Sequence, residues 1–253
     1  MCIIWMTEVL HMPKSKYESI YQTIKDEILA GNYVHGDLLP SENEYTKRFG
    51  CTRNTIRRAL AMLTQEGFLL PRHGRGVQVI WQPQKGRNIF SLGGIESLRE
   101  AADRNQVSMK TRVVRFEERI CDEKLSEQTG FDVGEHLLFV ERVRKINGEA
   151  IILDTNYFLK SETEGLTAEI AEHSIYRYLE EVRGMNITTS LRRVTAEKAV
   201  KRDYRYLDLQ EYDFLLVITG QVFNSSGVMF EYTQSRHRPD KVCFIESAVR
   251  KTV

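Results

Sequence analysis

At 253 residues the chain is longer than one small domain needs and can hold two, each with its own core. The net charge is only +1, but it is unevenly spread: residues 1–87 carry 12 Lys/Arg against 8 Asp/Glu, and the remainder 24 against 27. A weakly basic head on a slightly acidic body excludes a polycation that coats nucleic acid in bulk, and suits specific DNA binding by a dimer.

The opening Met1-Cys2-Ile3-Ile4-Trp5-Met6 is apolar but too short to span a membrane, and it lacks a basic n-region and a cleavage site. Translation from Met12 is an alternative start. Cys2, Cys51, Cys121 and Cys243 are scattered without a C-x-x-C pair, so free thiols in a reducing cytosol are expected rather than a metal site.

The chain's strongest signal begins at Leu39-Pro40-Ser41-Glu42. Ser41 with Glu44 three residues on is a capping-box signature, and the helix it starts stops at Gly50. Thr52 caps a second helix that runs to Gln65, with Gly67 ending it. On that helix Ile56, Ala59, Leu60 and Leu63 share one arc, and Arg53, Asn54, Arg57 and Arg58 the opposite one. Taken alone, such arginines are most often a solvated face. Two helices joined across Phe49-Gly50-Cys51 have helix-turn-helix spacing, however, and an outer face of Arg and Asn carries the groups that fork onto guanine and adenine in the major groove. Phe68–Leu70 and Val77–Ile80 then form a short hairpin around Arg72-His73-Gly74-Arg75-Gly76, whose cations would reach a neighbouring groove. A phosphate-cradling loop is rejected there, since a strand follows and the third glycine is missing.

With Ile20, Ile24 and Ile28 in an opening helix, Gly31, and the run Thr52–Leu60, this region resembles the winged helix-turn-helix of the GntR family of bacterial transcription regulators. Asn43 and Cys51 depart from the family's usual residues. The resemblance implies a DNA-binding domain over 13–81. Its candidate contacts are Ser41, Glu42, Thr52, Arg53, Asn54, Thr55, Arg57 and Arg58 on the helices, with His73, Gly74 and Arg75 on the wing. The expected partner is a pseudo-palindromic duplex operator bound by a homodimer.

The polar stretch Gln82-Pro83-Gln84-Lys85-Gly86-Arg87 reads as the core of a linker over 82–91. Beyond it lie strand-like runs at Met109–Phe116, Leu137–Lys145, Ala150–Phe158, Ile187–Ala199, Phe214–Phe223, Val228–Arg236 and Val242–Val249. Helical stretches are Gly94–Arg104, Asp122–Gln128, Thr163–Ala171, Ser174–Val182 and Lys201–Leu207. Asn147-Gly148 and Ser226-Gly227 are hairpin signals between paired runs. The pattern is α+β with one largely antiparallel sheet. Arg142 and Arg144 lie two apart on one strand face, a ready anion clamp; Glu231, Ser235 and His237 share parity, and Asp154 alternates with Asn156. An ordinary solvated sheet face is the competing reading.

Gly94–Leu98, Glu141–Arg144 with Asn147-Gly148-Glu149, Asp154–Tyr157, Ser174–Tyr176 and Glu231–His237 resemble the ligand-sensing UTRA domain of the HutC-like branch of that family, a fold similar to chorismate lyase. The resemblance extends over 92–250 and implies an effector-binding and dimerisation domain over 92–253. It implies an effector site with Ser97, Arg142 and Arg144 on a phosphate, and Glu149, Tyr157, Glu231 and His237 on sugar hydroxyls. Ile151–Phe158, Ser174–Glu180, Leu207–Asp213 and Tyr232–Lys241 most resemble the trehalose-responsive repressors of Gram-positive bacteria, which implies trehalose 6-phosphate or a related sugar phosphate as effector. The expected role is a cytoplasmic repressor of a trehalose uptake and utilisation operon, with no catalytic residues, cofactor, metal or membrane partner. An enzyme fused to a DNA-binding head and a ligand-free dimerisation module remain the alternatives.

Overall fold

The computed structural model describes residues 15–82, 88–91, 95, 97–104 and 107–245. The alternative start at Met12, residues 83–87 of the expected linker and residues 246–249 of the expected last strand lie outside them. The chain divides between Pro83 and Gln84 into two compact units.

In the first unit, α1 (Lys16–Leu29) begins where the Ser15 amide donates to the Glu18 carboxylate at 2.9 Å. The Ser41–Glu44 capping box starts α2 (Glu42–Phe49): the Ser41 amide donates to Glu44 Oε2 at 2.8 Å and the Glu44 amide to Ser41 Oγ at 3.3 Å. Gly50 ends α2 at a φ of 56°, left-handed backbone that a glycine adopts without steric cost, and this sets the turn into α3 (Arg53–Gln65). Thr52 caps α3 by accepting from the Thr55 amide at 3.3 Å. The hairpin β1 (Leu69–Arg72) and β2 (Gly76–Val79) pairs antiparallel from Leu69↔Val79 to Arg72↔Gly76. Ile20, Ile24, Tyr45, Ile56, Leu63 and Phe68 form its core. The apolar arc expected on α3 is the buried one, so its cationic arc faces out.

The second unit runs β3 (Asn88–Ser91), α4 (Leu98–Arg104), β4 (Met109–Ile120), α5 (Glu123–Thr129), β5 (His136–Ile146), β6 (Glu149–Leu159), α6 (Ala168–Glu172), α7 (Ile175–Arg177), β7 (Ile187–Lys198), α8 (Lys201–Tyr206), β8 (Phe214–Asn224), β9 (Met229–His237) and β10 (Val242–Ile245). Six strands form an antiparallel sheet in the order β4-β5-β6-β9-β8-β7, while β3 and β10 pair parallel in a sheet of their own. The Asn147-Gly148 turn has both residues at positive φ, as a tight hairpin between β5 and β6 requires.

Several expected boundaries move. Residues 88–91, read as the end of the linker, form β3 instead, where they gain backbone partners on β10. Of the helix expected over 94–104, residues 94 and 96 lie outside the described residues; α4 follows Ser97, which exchanges hydrogen bonds with Glu100 as a capping pair. The helix expected over 163–171 is cut back to α6, because Gly165 at a φ of 80° breaks it. The stretch expected over 174–182 is one α-helical turn followed by a wider π turn over Tyr178–Val182.

The six-stranded sheet has two differently used faces. On one, Leu153, Val143, Leu215 and Val217 pack with Leu207 and Leu209 near α8, and Phe139, Tyr157 and Tyr232 pack with Leu125 and Phe131 near α5. The other face packs Leu138, Val140 and Phe158 against Ile175 and Leu179, and beyond that cluster its buried residues turn polar.

Candidate functional site

On the first unit, Arg53, Asn54, Arg57 and Arg58 are exposed along the outer arc of α3, with Thr55 half-buried beside them. Arg57 is held: its Nε donates to both Glu42 oxygens at 2.9 and 3.0 Å, which raises its pKa further. Arg58 lies 3.7 Å over the Tyr17 ring and donates to its hydroxyl at 3.1 Å. Arg53 has no ion-pair partner among the described residues, so it is more readily redirected than Arg57. Ser41 and Thr52 are occupied as caps, and Glu42 is Arg57's acceptor. His73, Gly74 and Arg75 stand exposed at the tip of the hairpin. A protruding helix with a forked cation fixed by a carboxylate, beside a cationic hairpin tip, has the groups for base-edge and phosphate contacts.

On the second unit, the polar face of the sheet lines a cavity of about 140 Å³. Every wall residue from β5, β6 and β9 follows the alternation of its strand: Arg142 and Arg144, then Asp154, Asn156 and Phe158, then Glu231, Thr233, Ser235 and His237. Ser97, Leu98 and Arg99 come from the start of α4, and Ser174, Ile175 and Tyr176 from α7. β8 and β7 close the far side with Ile218, Val222, Ser190 and Arg192.

Two hydrogen-bonded chains hold these groups. Arg144 Nε donates to Asp154 Oδ2 at 2.5 Å, and the Ser235 hydroxyl donates to Asp154 Oδ1 at 2.5 Å. Arg142 donates to Asn156 Oδ1 at 2.8 Å, and the Asn156 amide donates on to Glu231 Oε1 at 2.7 Å and Thr233 Oγ1 at 2.9 Å. The Tyr176 hydroxyl completes the second chain by donating to Glu231 Oε2 at 2.7 Å. Arg142 also donates to the Ala171 carbonyl at 3.4 Å, and lies 3.9 Å from Asp154. Its Nε is buried without a hydrogen-bond partner among the described residues.

Burial and crowding distort the titration of this set. Burial, and then repulsion from Arg144, lower the Arg142 pKa to about 10. Burial opposes ionisation of Asp154, but Arg144 and Arg142 outweigh it and hold the carboxyl below its ordinary range. Burial raises the Glu231 pKa against the hydrogen bond from Tyr176, and burial next to Glu231 pushes the Tyr176 phenol well above its usual value. Burial lowers His237 to about 4 although Asp154 pulls the other way, so the imidazole is neutral at pH 7. Among the described lining residues, the buried pair Arg142 and Arg144 shares Asp154, and fixed hydrogen-bonding groups run along the cavity's floor.

Ser97, Arg142, Arg144, Glu231 and His237 are brought together here. Two residues expected with them are not. Tyr157 is one position out of step with Asp154 and Asn156, so it projects from the opposite face into a row with Phe139 and Tyr232, at ring separations of 5.0 and 6.4 Å. Glu149 sits at the hairpin end of β6, where Arg238 at 3.1 Å and Lys241 at 2.9 Å claim its carboxylate. Asp154, Asn156 and Ser235 had the right parity. Arg99, Tyr176, Ser190 and Arg192 were missed; the Ser190/Arg192 alternation on β7 was the available signal. Among the described residues no group of His, Cys, Asp and Glu is placed to hold a metal ion, and no helix is long and apolar enough to cross a membrane.

The model of the UTRA domain matches residues 104–242, and that of the gntR family of bacterial regulatory proteins matches residues 16–79. The chain is 35% identical over 239 residues to the HTH-type transcriptional regulator TreR of Bacillus subtilis, covering 94% of this chain and 99% of that protein. Among solved structures, the possible transcriptional regulator YydK from Bacillus subtilis superposes with a TM-score of 0.78 at 25% identity, over 93% of this chain and all of that one. The effector binding domain of the Bacillus subtilis trehalose repressor is 37% identical with a TM-score of 0.52, covering 56% of this chain and 99% of that one.

Proposed function

The chain belongs to the gntR family of bacterial regulatory proteins and carries a UTRA domain, so it is a DNA-binding transcription regulator and not an enzyme; on that premise we propose that it is the repressor of a trehalose uptake and utilisation operon, released from its operator by trehalose 6-phosphate. The observation that carries this reading is the buried Arg142–Arg144 pair: two guanidiniums that share Asp154, with Arg142 Nε without a hydrogen-bond partner among the described residues, suit a phosphate monoester, which bears about −1.5 to −2 at pH 7. The hydroxyl-sized acceptors and donors on its floor, Asn156, Glu231, Thr233 and Ser235, suit a sugar. The likeness to TreR favours trehalose as that sugar. Another sugar phosphate would use the same chemistry and is the second reading.

In this reading α3 enters the major groove of each half-site and the protein acts as a cytoplasmic homodimer on a pseudo-palindromic operator, with no cofactor or metal. The effector must prefer the conformation that cannot span both half-sites, since a ligand of equal affinity for both shifts nothing. The test is an operator gel shift titrated with trehalose 6-phosphate and, separately, with trehalose. Losing the phosphate should cost roughly 2–5 kcal/mol, because desolvated cations are left unpaired. Arg142→Ala is expected to bind operator normally and to resist release. Equal release by both sugars, or normal release of that variant, would remove the phosphate from Arg142 and Arg144.

A further inference from the structure

Two neighbouring arginines of α3 are held by two different helices. Arg57 is held from α2 by Glu42, whereas Arg58 is held from α1 by Tyr17. Tyr17 continues the apolar stripe of α1, since positions 17, 20, 24 and 28 share one helical face. Ile20, Ile24 and Ile28 on that stripe are buried in the core that α1 shares with α3, but Tyr17 in the first turn is only half-buried. The exposed Arg58 covers its ring, with the guanidinium carbon 3.7 Å from the centroid.

The hydrogen bonds at this contact all run one way. Arg58 Nη2 donates to the Tyr17 hydroxyl at 3.1 Å, the hydroxyl donates to Glu18 Oε1 at 3.0 Å, and Glu18 Oε2 accepts from the Ser15 amide at 2.9 Å. The Glu18 carboxylate thus orients the hydroxyl and caps α1, and it forms no ion pair with Arg58. Among the described residues Arg58 has no other hydrogen bond and no ion-pair partner, unlike Arg48 and Arg57, which are each paired with a glutamate. The side chain is fixed while its charge is left uncompensated. Nor is the contact needed to tie α1 down, because Lys16 in the same turn donates to the Gly50 carbonyl at 2.7 Å.

We infer that Tyr17 is a positioning residue for DNA binding, which holds Arg58 against α1 so that its guanidinium meets a backbone phosphate of the duplex whose bases α3 reads. A base-edge contact would need Arg58 to extend from α3 away from the protein body, whereas the stack draws it back onto the first turn of α1. An arginine that closes on a phosphate loses rotamer freedom, and stacking on the ring removes that freedom in the fold instead. Stacking occupies the guanidinium's face and leaves free the edges that carry its donors. This role needs only the DNA-binding assignment of the first unit and is independent of the effector's identity.

The experiment is fluorescence anisotropy of the full chain on the duplex it selects from a random pool and on a shuffled duplex, over a range of salt concentrations. The proteins are wild type, Tyr17→Leu, Arg58→Ala and the double variant. Arg58→Ala is expected to weaken both duplexes alike and to lower the slope of log affinity against log salt by about one. Tyr17→Leu is expected to weaken both roughly two- to tenfold while keeping the wild-type slope, because Arg58 still reaches the phosphate but is no longer held. The double variant is expected to bind no more weakly than Arg58→Ala alone. A Tyr17 that merely supports the fold would weaken binding as much in the Arg58→Ala background as in wild type, and that outcome overturns the inference. So does an unchanged affinity in Tyr17→Leu, or an unchanged salt slope in Arg58→Ala. Should Tyr17→Leu fail to fold, as its thermal midpoint would show, Tyr17→Phe keeps the ring and removes only the hydroxyl. A loss of about twofold that disappears in the Arg58→Ala background is then expected, and no loss, or an additive one, overturns the inference.

Discussion

Asp154 is the counter-charge on which the cavity's arginines depend, and replacing it tests that dependence directly. It is 2% exposed, accepts from Arg144 and Ser235 at 2.5 Å each, and lies 3.9 Å from Arg142. In Asp154→Asn the shape is kept, but one oxygen becomes an NH₂ group and the charge disappears. The amide still accepts from one neighbour; the other faces a donor, and two buried guanidiniums share no carboxylate of their own. Removing one partner of a buried ion pair costs about 3–5 kcal/mol. In a domain of this size each kcal/mol moves the midpoint by roughly 2–4 °C, so the second unit should melt roughly 6–20 °C lower. The same change makes the cavity more cationic, so inorganic phosphate should raise the variant's midpoint more than the wild type's. Thermal unfolding by circular dichroism, with and without phosphate, measures both. A variant that melts within a degree or two of wild type, or gains no more than wild type from phosphate, would show that Asp154 does not compensate these cations.

On the DNA face, Arg53→Ala and Arg57→Ala should each weaken operator binding roughly 10- to 100-fold if they read base edges, and fluorescence anisotropy that shows neither loss would sink the recognition-helix assignment. Glu42→Gln, which loosens the two bonds to Arg57 Nε, should reduce discrimination between operator and scrambled duplex more than it reduces affinity for the scrambled one. Arg75→Ala on the wing should weaken both duplexes alike and flatten the salt dependence, as a phosphate contact does. His237 is neutral in the fold, with its pKa lowered by burial to about 4 against an ordinary 6.5, so the unfolded state binds more protons between those values. Its contribution is therefore complete above about pH 6.5 and is lost as pH falls toward 4, by about 3 kcal/mol in all. His237→Gln should have a flatter stability profile over that window, and an unchanged slope would place the titration on other groups.

The head was legible because each of its signals is local. Ser41 with Glu44, Gly50, and Thr52 fix both helices within a few residues of sequence, and the inner arc of α3 follows from helical period alone. The cavity was half legible for the same reason. Strand parity groups Arg142 with Arg144 and Asp154 with Asn156, and it also places Tyr157 on the opposite face, a consequence that the family resemblance overrode. What no local pattern could supply is strand order. Ser190 and Arg192 reach the cavity because β9 and β8 lie between β6 and β7, and Glu149 leaves it because Arg238, 89 residues later, returns beside it. Chain reversals such as Gly165 likewise shortened helices whose composition favoured longer ones.

Release of DNA demands more than tight binding. Moving a regulator from 1:99 to 99:1 between two conformations takes about 10⁴-fold preference, roughly 5.5 kcal/mol. At about 1.5–3 kcal/mol for each hydrogen bond to a charged group, two to four effector contacts must exist in one conformation and be lost in the other. Arg142, Asn156 and Glu231 are poor candidates, since the ladders of β5, β6 and β9 and their own hydrogen bonds hold them in place. Ser97 is a better one: it caps α4, a seven-residue helix outside the six-stranded sheet, and it lies closest in sequence to the DNA-binding unit among the cavity's hydroxyl groups. If Ser97 contributes to the conformational preference, Ser97→Ala should release less operator than wild type at matched effector saturation, whereas Glu231→Gln should bind effector more weakly yet follow the wild-type curve of release against saturation. The measurement is operator anisotropy plotted against effector occupancy from calorimetry on the same proteins. Both variants falling on the wild-type curve would place the preference elsewhere than at α4.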